Sequence, residues 1–63
     1  MDSLSAIRAA VLASQGPSQL TMLSMRVMLE TGLSLQNVSM DKDRDPQSVA
    51  RVRKALADMH VKV

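Results

Sequence analysis

The stretch Asp45-Pro46-Gln47-Ser48-Val49-Ala50-Arg51-Val52-Arg53-Lys54-Ala55-Leu56 decides the fold of this chain. Asp45 can accept hydrogen bonds from free amides at a helix N-cap, and Pro46 has its dihedral preset for the first helical position. The pair therefore predicts a helix over 46–59. At 100° per residue, its apolar side chains point inward together; they are Val49, Val52, Leu56 and Met59.

The other side of this predicted helix is polar and basic. Gln47, Ala50, Arg51 and Lys54 share an outward face, because they are spaced three and four residues apart. Arg53 falls at the border of that face, and Ser48 lies partly under the helix start. Such a helix can enter the major groove of DNA and contact its base edges.

The segment before this stretch predicts a short helix over about 35–41, capped by Ser34. Leu33 and Val38 have the spacing of a hydrophobic staple around that cap. A polar turn, Asp41-Lys42-Asp43-Arg44, then leads to Asp45. A short helix, a tight turn and a second helix form the layout of a helix-turn-helix.

Two further helices are predicted towards the N-terminus, over 3–15 and 18–31. Asp2 or Ser3 can cap the first helix, and Ser18 can cap the second. Gly16-Pro17 and Gly32 stop them, since glycine adopts a left-handed C-terminal conformation and proline prevents continuation. Apolar stripes predict the buried faces; they comprise Leu4, Ile7 and Val11 in the first helix and Leu20, Leu23 and Val27 in the second.

A second apolar stripe runs along the helix predicted over 18–31. Its members are Met22, Met25, Met28 and Leu29. A helix that is apolar on two sides is central to a core or shared with a partner. We therefore expect these four residues to fill the core or to form a dimer or partner interface.

Composition limits the chain to a single domain over residues 1–63. Hydrophobic residues make up 46% of the sequence, which is too high a fraction for a disordered tail. Because the sequence has neither cysteine nor an aromatic side chain, no disulfide staples the fold and the core is aliphatic. A small aliphatic core favours oligomerisation, which buries further apolar surface.

Charge is concentrated in the C-terminal third of the chain. Residues 1–41 carry two basic and three acidic residues, a net −1, whereas residues 42–63 carry six basic and three acidic residues, a net +3. This distribution fits a polyanionic partner. A solvated helix surface is the alternative explanation of the same charges.

No apolar run in the sequence approaches the ~20 residues that a membrane span needs, so no membrane partner is expected. Asp2 and Arg8 are placed unlike the residues of a secretory signal. We expect a cytoplasmic protein. Its size and its initiating Met1 give the impression of a small regulator of the kind that phages and plasmids encode.

From Leu20 to Val63 the chain resembles the winged helix-turn-helix of MarR-type regulators. The resemblance rests on four segments: Leu20-Thr21 through Leu29, Ser34-Leu35-Gln36-Asn37-Val38-Ser39, Asp45-Pro46-Gln47-Ser48-Val49-Ala50-Arg51, and Leu56 with Val61-Lys62-Val63. It implies an all-α, compact four-helix helix-turn-helix domain, with Val61-Lys62-Val63 as a short C-terminal β-strand of a truncated winged helix.

The chain departs from the family pattern at three places. Lys42 stands where the pattern usually has an apolar residue, and Asp43 replaces the usual turn glycine. The sequence also has no counterpart of the β-hairpin wing or of the long dimerisation helices. Minor-groove contacts by a wing are therefore not carried over.

The favoured function is a sequence-specific DNA-binding transcriptional regulator that acts on double-stranded DNA as a homodimer. The predicted DNA-binding residues are Arg44, Gln47, Ser48, Ala50, Arg51, Arg53 and Lys54. Of these, Gln47, Ser48, Ala50 and Arg51 are suited to base edges. The alternative is a small helical protein-interaction module that binds, and so inhibits or recruits, a regulatory protein through its methionines.

Enzymatic chemistry is not expected, and neither a cofactor nor a metal is predicted. His60 is the single histidine, and it lies near a predicted helix end where it can interact with the last carbonyls. Asp41, Asp43 and Asp45 alternate as at the opening of a calcium loop, but the glycine and the closing glutamate of such a loop are absent. We interpret the triplet as a turn followed by an N-cap.

Overall fold

Three α-helices account for most of the residues that the computed structural model describes, which are 3–36 and 46–63. They are α1 (Leu4–Gln15), α2 (Pro17–Thr31) and α3 (Pro46–Asp58). The all-helical prediction is confirmed for these ranges. The prediction of four helices and a C-terminal strand is not supported there, since the described ranges contain three helices and no strand.

Helix α1 begins as its sequence predicts. The side-chain oxygen of Ser3 accepts a hydrogen bond of 3.0 Å from the backbone N–H of Ala6, so Ser3 is the N-cap. Asp2, the other predicted cap, lies outside the described residues. At the C-terminal end the N–H of Gly16 donates to the carbonyl of Leu12 at 3.0 Å.

Helix α2 begins one residue earlier than predicted. Gly16 is its N-cap and Pro17 occupies the first turn, so the prediction that Ser18 caps this helix is wrong. Gly16 has φ 90° and ψ 167°, so the left-handed helical conformation predicted for it at the end of α1 is wrong; the conformation it adopts is essentially restricted to glycine. This backbone bend lets α2 follow α1 directly, and Pro17 starts the helix without needing a side-chain cap.

Helix α2 ends at Gly32, which adopts the predicted left-handed conformation with φ 75°. Its N–H donates to the carbonyl of Met28 at 2.8 Å. The Thr31 hydroxyl bridges the end of the helix, because it donates to the Val27 carbonyl at 2.7 Å and accepts from the Leu33 N–H at 3.1 Å. The hydroxyl thereby ties the backbone of Leu33 to the last turn of α2.

The segment after α2 does not begin the helix predicted over 35–41. Residues 35 and 36 form bends, and residues 37–41, with Val38, lie outside the described ranges. Leu33 and Leu35 are both buried, an alternation typical of an extended segment rather than of a helix. Ser34 accepts the Gln36 N–H at 3.1 Å, which makes a local turn. The Gln36 amide also donates to the Thr21 hydroxyl at 3.1 Å and so ties this segment to α2.

Helix α3 begins at Pro46, as predicted, and closes with a Schellman motif. The N–H of His60 donates to the Ala57 carbonyl, and the N–H of Val61 donates to the Leu56 carbonyl, each at 2.9 Å. His60 takes the left-handed position with φ 63°. Residues 61–63 do not form the predicted strand: the Val61 N–H donates back to α3, and a strand would need it for a neighbouring strand.

The core lies where α2 contacts both α1 and α3. Every residue of α1 and α2 that was predicted to face inward is buried, and so are the three aliphatic residues predicted to face inward from α3. Met59, the fourth predicted inward residue of the C-terminal helix, is only partly buried and packs against this cluster. No helix in the described ranges is both long and apolar enough to span a bilayer. The buried set is Leu4, Ile7, Val11, Leu20, Leu23, Val27, Leu33, Leu35, Val49, Val52, Ala55, Leu56 and Val61.

The left-handed conformation of His60 gives a stability prediction. We expect His60→Gly to raise the free energy of unfolding by about 1 kcal/mol, because glycine adopts this conformation without the steric cost that a Cβ brings. Thermal unfolding followed by circular dichroism should show a rise in Tm of about 4–8 °C. Gly32→Ala is the converse control and should lower Tm, although no atom lies within 4 Å of the added Cβ. An unchanged or lower Tm for His60→Gly would contradict the strain argument.

Candidate functional site

The outward surface of α3 carries the best-defined cluster of polar side chains on one element. Gln47, Ala50, Arg51 and Lys54 are all exposed, and we call this set the basic face of α3. They share one side of the helix because their spacing follows the helical repeat. The structure therefore brings together four of the seven residues predicted to contact DNA.

The remaining three predicted residues are placed differently. Ser48 is only 8% exposed, so its hydroxyl is not displayed beside the basic face. The helix turns this residue towards the core together with its neighbour Val49. Arg44 lies outside the described residues.

Arg53 occupies the border position that the sequence predicts. It is partly buried, and its Nη1 donates to the carbonyl oxygen of Val63 at 3.3 Å. Arg53 also lines a surface depression at the C-terminal end of α3 together with His60 and Lys62. The depression has a largely apolar lining from Ala57, Val61 and Val63, and the three basic residues lie along it.

Carboxylates limit the basic face at its C-terminal end. The Lys54 ammonium pairs with the Asp58 carboxylate one turn later at 3.1 Å, with 78% and 56% of the two side chains exposed. Such an exposed pair contributes little to stability. Glu30, at the end of α2, lines one shallow surface depression with Arg51, Lys54 and Asp58. Two of the three cations of α3, Arg51 and Lys54, therefore share a depression with carboxylates.

The contribution of Glu30 was missed by the sequence reasoning. Glu30 and Arg51 are far apart in sequence, and they share a surface depression because α2 packs against α3. No local pattern in either helix signals this proximity. The Lys54–Asp58 pair, by contrast, has the i,i+4 spacing at which side chains of one helix meet.

The second surface of interest is the outer side of α2. Met22, Met25, Met28 and Leu29 are exposed, with fractions of 48%, 66%, 43% and 85%, and we call them the methionine face of α2. The opposite side of the same helix holds the buried Leu20, Leu23 and Val27. Of the two predicted roles for these four residues, filling the core is therefore wrong, and an interface role stays a prediction.

Comparison with known proteins gives no relative from which to transfer a function. No protein-family model, no curated protein and no solved structure matches the chain. Within residues 3–36 and 46–63, no three histidine, cysteine, aspartate or glutamate side chains cluster in a way that could hold a metal ion. The basic face of α3 and the methionine face of α2 are therefore the features that point to a function.

Proposed function

We propose that this protein is a small, sequence-specific DNA-binding transcriptional regulator that places α3 in the major groove of double-stranded DNA. The observation that carries the proposal is the sidedness of α3. Gln47, Ala50, Arg51 and Lys54 are exposed on one side, while Val49, Val52 and Leu56 are at most 2% exposed on the other. A helix fixed by its apolar side and open on its polar side can present hydrogen-bonding groups to a groove of similar width.

Each residue of the basic face has a role suited to its chemistry. Arg51 can donate two hydrogen bonds to a guanine, Gln47 can pair with an adenine, and Ala50 can contact a thymine methyl group. Lys54 and Arg53 are better suited to phosphates, which set the position of the protein on the duplex. Arg44, just before α3, belongs to the phosphate-binding group of this proposal.

The proposal includes a homodimer, because a single recognition helix rarely suffices for specific binding. Two half-sites read by a symmetric dimer lie about 34 Å apart, one turn of the duplex. It also includes a cytoplasmic location, where the proposed duplex partner would be met. Within the winged helix-turn-helix pattern that the sequence resembles, α3 takes the place of the recognition helix; the terminal strand and the helix over 35–41 are not part of this proposal, since residues 61–63 form no strand and residues 35 and 36 form bends.

Asp58 provides a variant expected to improve DNA binding. Asp58→Asn removes a carboxylate that pairs with Lys54 at 3.1 Å and repels phosphates. We expect affinity for duplex DNA at low salt to rise about two- to fourfold, with a steeper dependence on salt. Fluorescence anisotropy with a labelled duplex measures both quantities. Asp58→Glu keeps the charge and should show no gain, and a gain for neither variant would count against Lys54 as a DNA contact.

The direct test is an NMR titration of the ¹⁵N-labelled protein with random duplex DNA at low salt. We expect chemical-shift changes concentrated in α3 between Gln47 and Lys54, weakening steeply as salt is added. Changes confined to Met22, Met25 and Met28, or no changes at all, would contradict the DNA proposal.

The exposed methionine face of α2 favours a second candidate, a helical protein-interaction module that inhibits or recruits a regulatory protein. Methionine side chains are flexible and polarizable, so they adapt to partners of different shape. This candidate predicts that Arg51→Ala and Lys54→Ala leave partner binding intact. The DNA proposal predicts that both substitutions weaken binding.

A further inference from the structure

We propose that the methionine face of α2 binds the same face of a second copy of this chain, with the two α2 helices antiparallel about a two-fold axis near Met25. This extends the proposed function, which rests on two copies, by naming the surface and its geometry. Self-association is measured without DNA. The self-association proposal can therefore be contradicted while DNA binding by α3 is confirmed, and DNA binding can be contradicted while self-association is confirmed.

The methionine face lies on the side of α2 that is turned away from the core. At 100° per residue, Met22, Met25 and Leu29 fall within a sector of about 60° directly opposite the buried side of α2. Leu29 is 85% exposed, so neither α1 nor α3 covers this sector. Met28 widens the apolar surface on one flank, where Met25 and Met28 line a shallow depression with Gln36.

The methionine face is complementary to an identical face. A two-fold interface pairs one patch with an identical patch. Met22 and Leu29 lie about 10 Å apart along the helix, with Met25 between them. Antiparallel pairing sets Met22 of one copy against Leu29 of the other, and it brings the two Met25 side chains together near the axis. The i, i+3, i+7 spacing of these residues is that of a short helix–helix seam.

Charge also favours a second copy over a strongly charged partner. Arg26 and Glu30 lie on the flank of α2 away from Met28, and their charges cancel. The face therefore offers no net charge for selecting an acidic or a basic partner. In the antiparallel arrangement Arg26 approaches Arg26 of the second copy, a repulsion that salt screens. Salt should therefore strengthen self-association, whereas it weakens DNA binding.

The size of the face sets the expected strength. The four side chains expose on the order of 400 Å², which is the size of the largest apolar patch on a typical monomer. Two copies then bury about 800 Å² in total, which places the contact in the weak class. We expect a Kd of about 100 μM in the absence of DNA. Two adjacent half-sites on one duplex would raise the effective concentration of the copies and complete the dimer there.

Sedimentation velocity from about 20 μM to 1 mM protein, a range that brackets the expected Kd, tests self-association. Met25→Gln and Leu29→Gln keep helix propensity and should each raise Kd at least tenfold. Leu12→Gln is the matched control, because Leu12 is an exposed apolar residue of α1, 36% exposed, and should leave Kd unchanged. Circular dichroism confirms that each variant is folded.

An isotope-filtered NMR experiment on mixed labelled and unlabelled protein tests the geometry. We expect intermolecular contacts between the Met25 methyl groups and between Met22 and Leu29. A chain that remains monomeric at 1 mM overturns the proposal, as does association that the α2 variants leave unchanged. The proposal is also overturned if this face contacts α1 or α3 of the second copy. It is overturned as well if the chain does not self-associate but binds a different polypeptide.

Discussion

Leu56→Ala should lower the free energy of unfolding by about 2–5 kcal/mol, enough to leave much of the protein unfolded at 25 °C. Leu56 is 0% exposed, and its carbonyl accepts the hydrogen bond that closes the Schellman motif after α3. Alanine keeps the backbone and the helix propensity, so the loss comes from the cavity left in the core. A chain of 63 residues has a total stability of only about 3–9 kcal/mol, so a single cavity is a large fraction of it.

The matched control for this prediction is Leu29→Ala, the same substitution at a residue that is 85% exposed. It should change the free energy of unfolding by less than about 0.5 kcal/mol. Urea unfolding at about 10 μM protein, well below the concentration at which copies would associate, measures both variants. Equal losses for Leu56→Ala and Leu29→Ala would mean that α3 is not anchored by its apolar side. That result would contradict the proposal that α3 presents a fixed basic face.

The burial pattern was predictable from sequence because it depends on helical periodicity alone. Val49, Val52 and Leu56 recur at the repeat of an α-helix, and Pro46 marks where that helix starts. The same argument identified the exposed residues Arg51 and Lys54. Local spacing is thus sufficient to predict which side of α3 faces solvent.

Features that depend on unusual backbone conformations or on contacts between helices were not predictable. The backbone conformation of Gly16 at the start of α2 is not signalled by the sequence, although Pro17 has the same preference for a first helical position as Pro46. His60 adopts a left-handed conformation that is uncommon for a residue with a Cβ. The position of Glu30 beside Lys54 arises from packing of α2 against α3.

One misinterpreted segment did carry a signal in its sequence. Leu33 and Leu35 are separated by one residue, which is the spacing of an extended chain, and both are buried. The prediction instead paired Leu33 with Val38 as a hydrophobic staple at the start of a helix. Alternation over three residues is too short to outweigh a capping pattern until burial is known.

Removing both exposed cations of the basic face should have the largest effect on function. We expect Arg51→Gln combined with Lys54→Gln to lower affinity for duplex DNA by between about 10- and 100-fold at low salt. The slope of log affinity against log salt concentration should fall by about 1, because Lys54 is the phosphate contact of the pair and each lost phosphate contact removes roughly 0.9 from the slope. Gln keeps helix propensity, and both positions are exposed, so the fold should be unaffected.

The control for the double variant is Arg8→Gln combined with Lys62→Gln, which removes the same net charge from α1 and from the segment after α3. If DNA is attracted only by the overall charge of +2, both pairs of substitutions lower affinity equally. If α3 lies in the groove, the control pair leaves the salt slope nearly unchanged while the α3 pair reduces it. Equal effects of the two pairs, measured by anisotropy across a salt series, would contradict α3 as the DNA-contacting helix. This comparison distinguishes DNA binding by α3 from general attraction between a basic protein and a polyanion. Both double variants remove two positive charges, and only the positions of those charges differ.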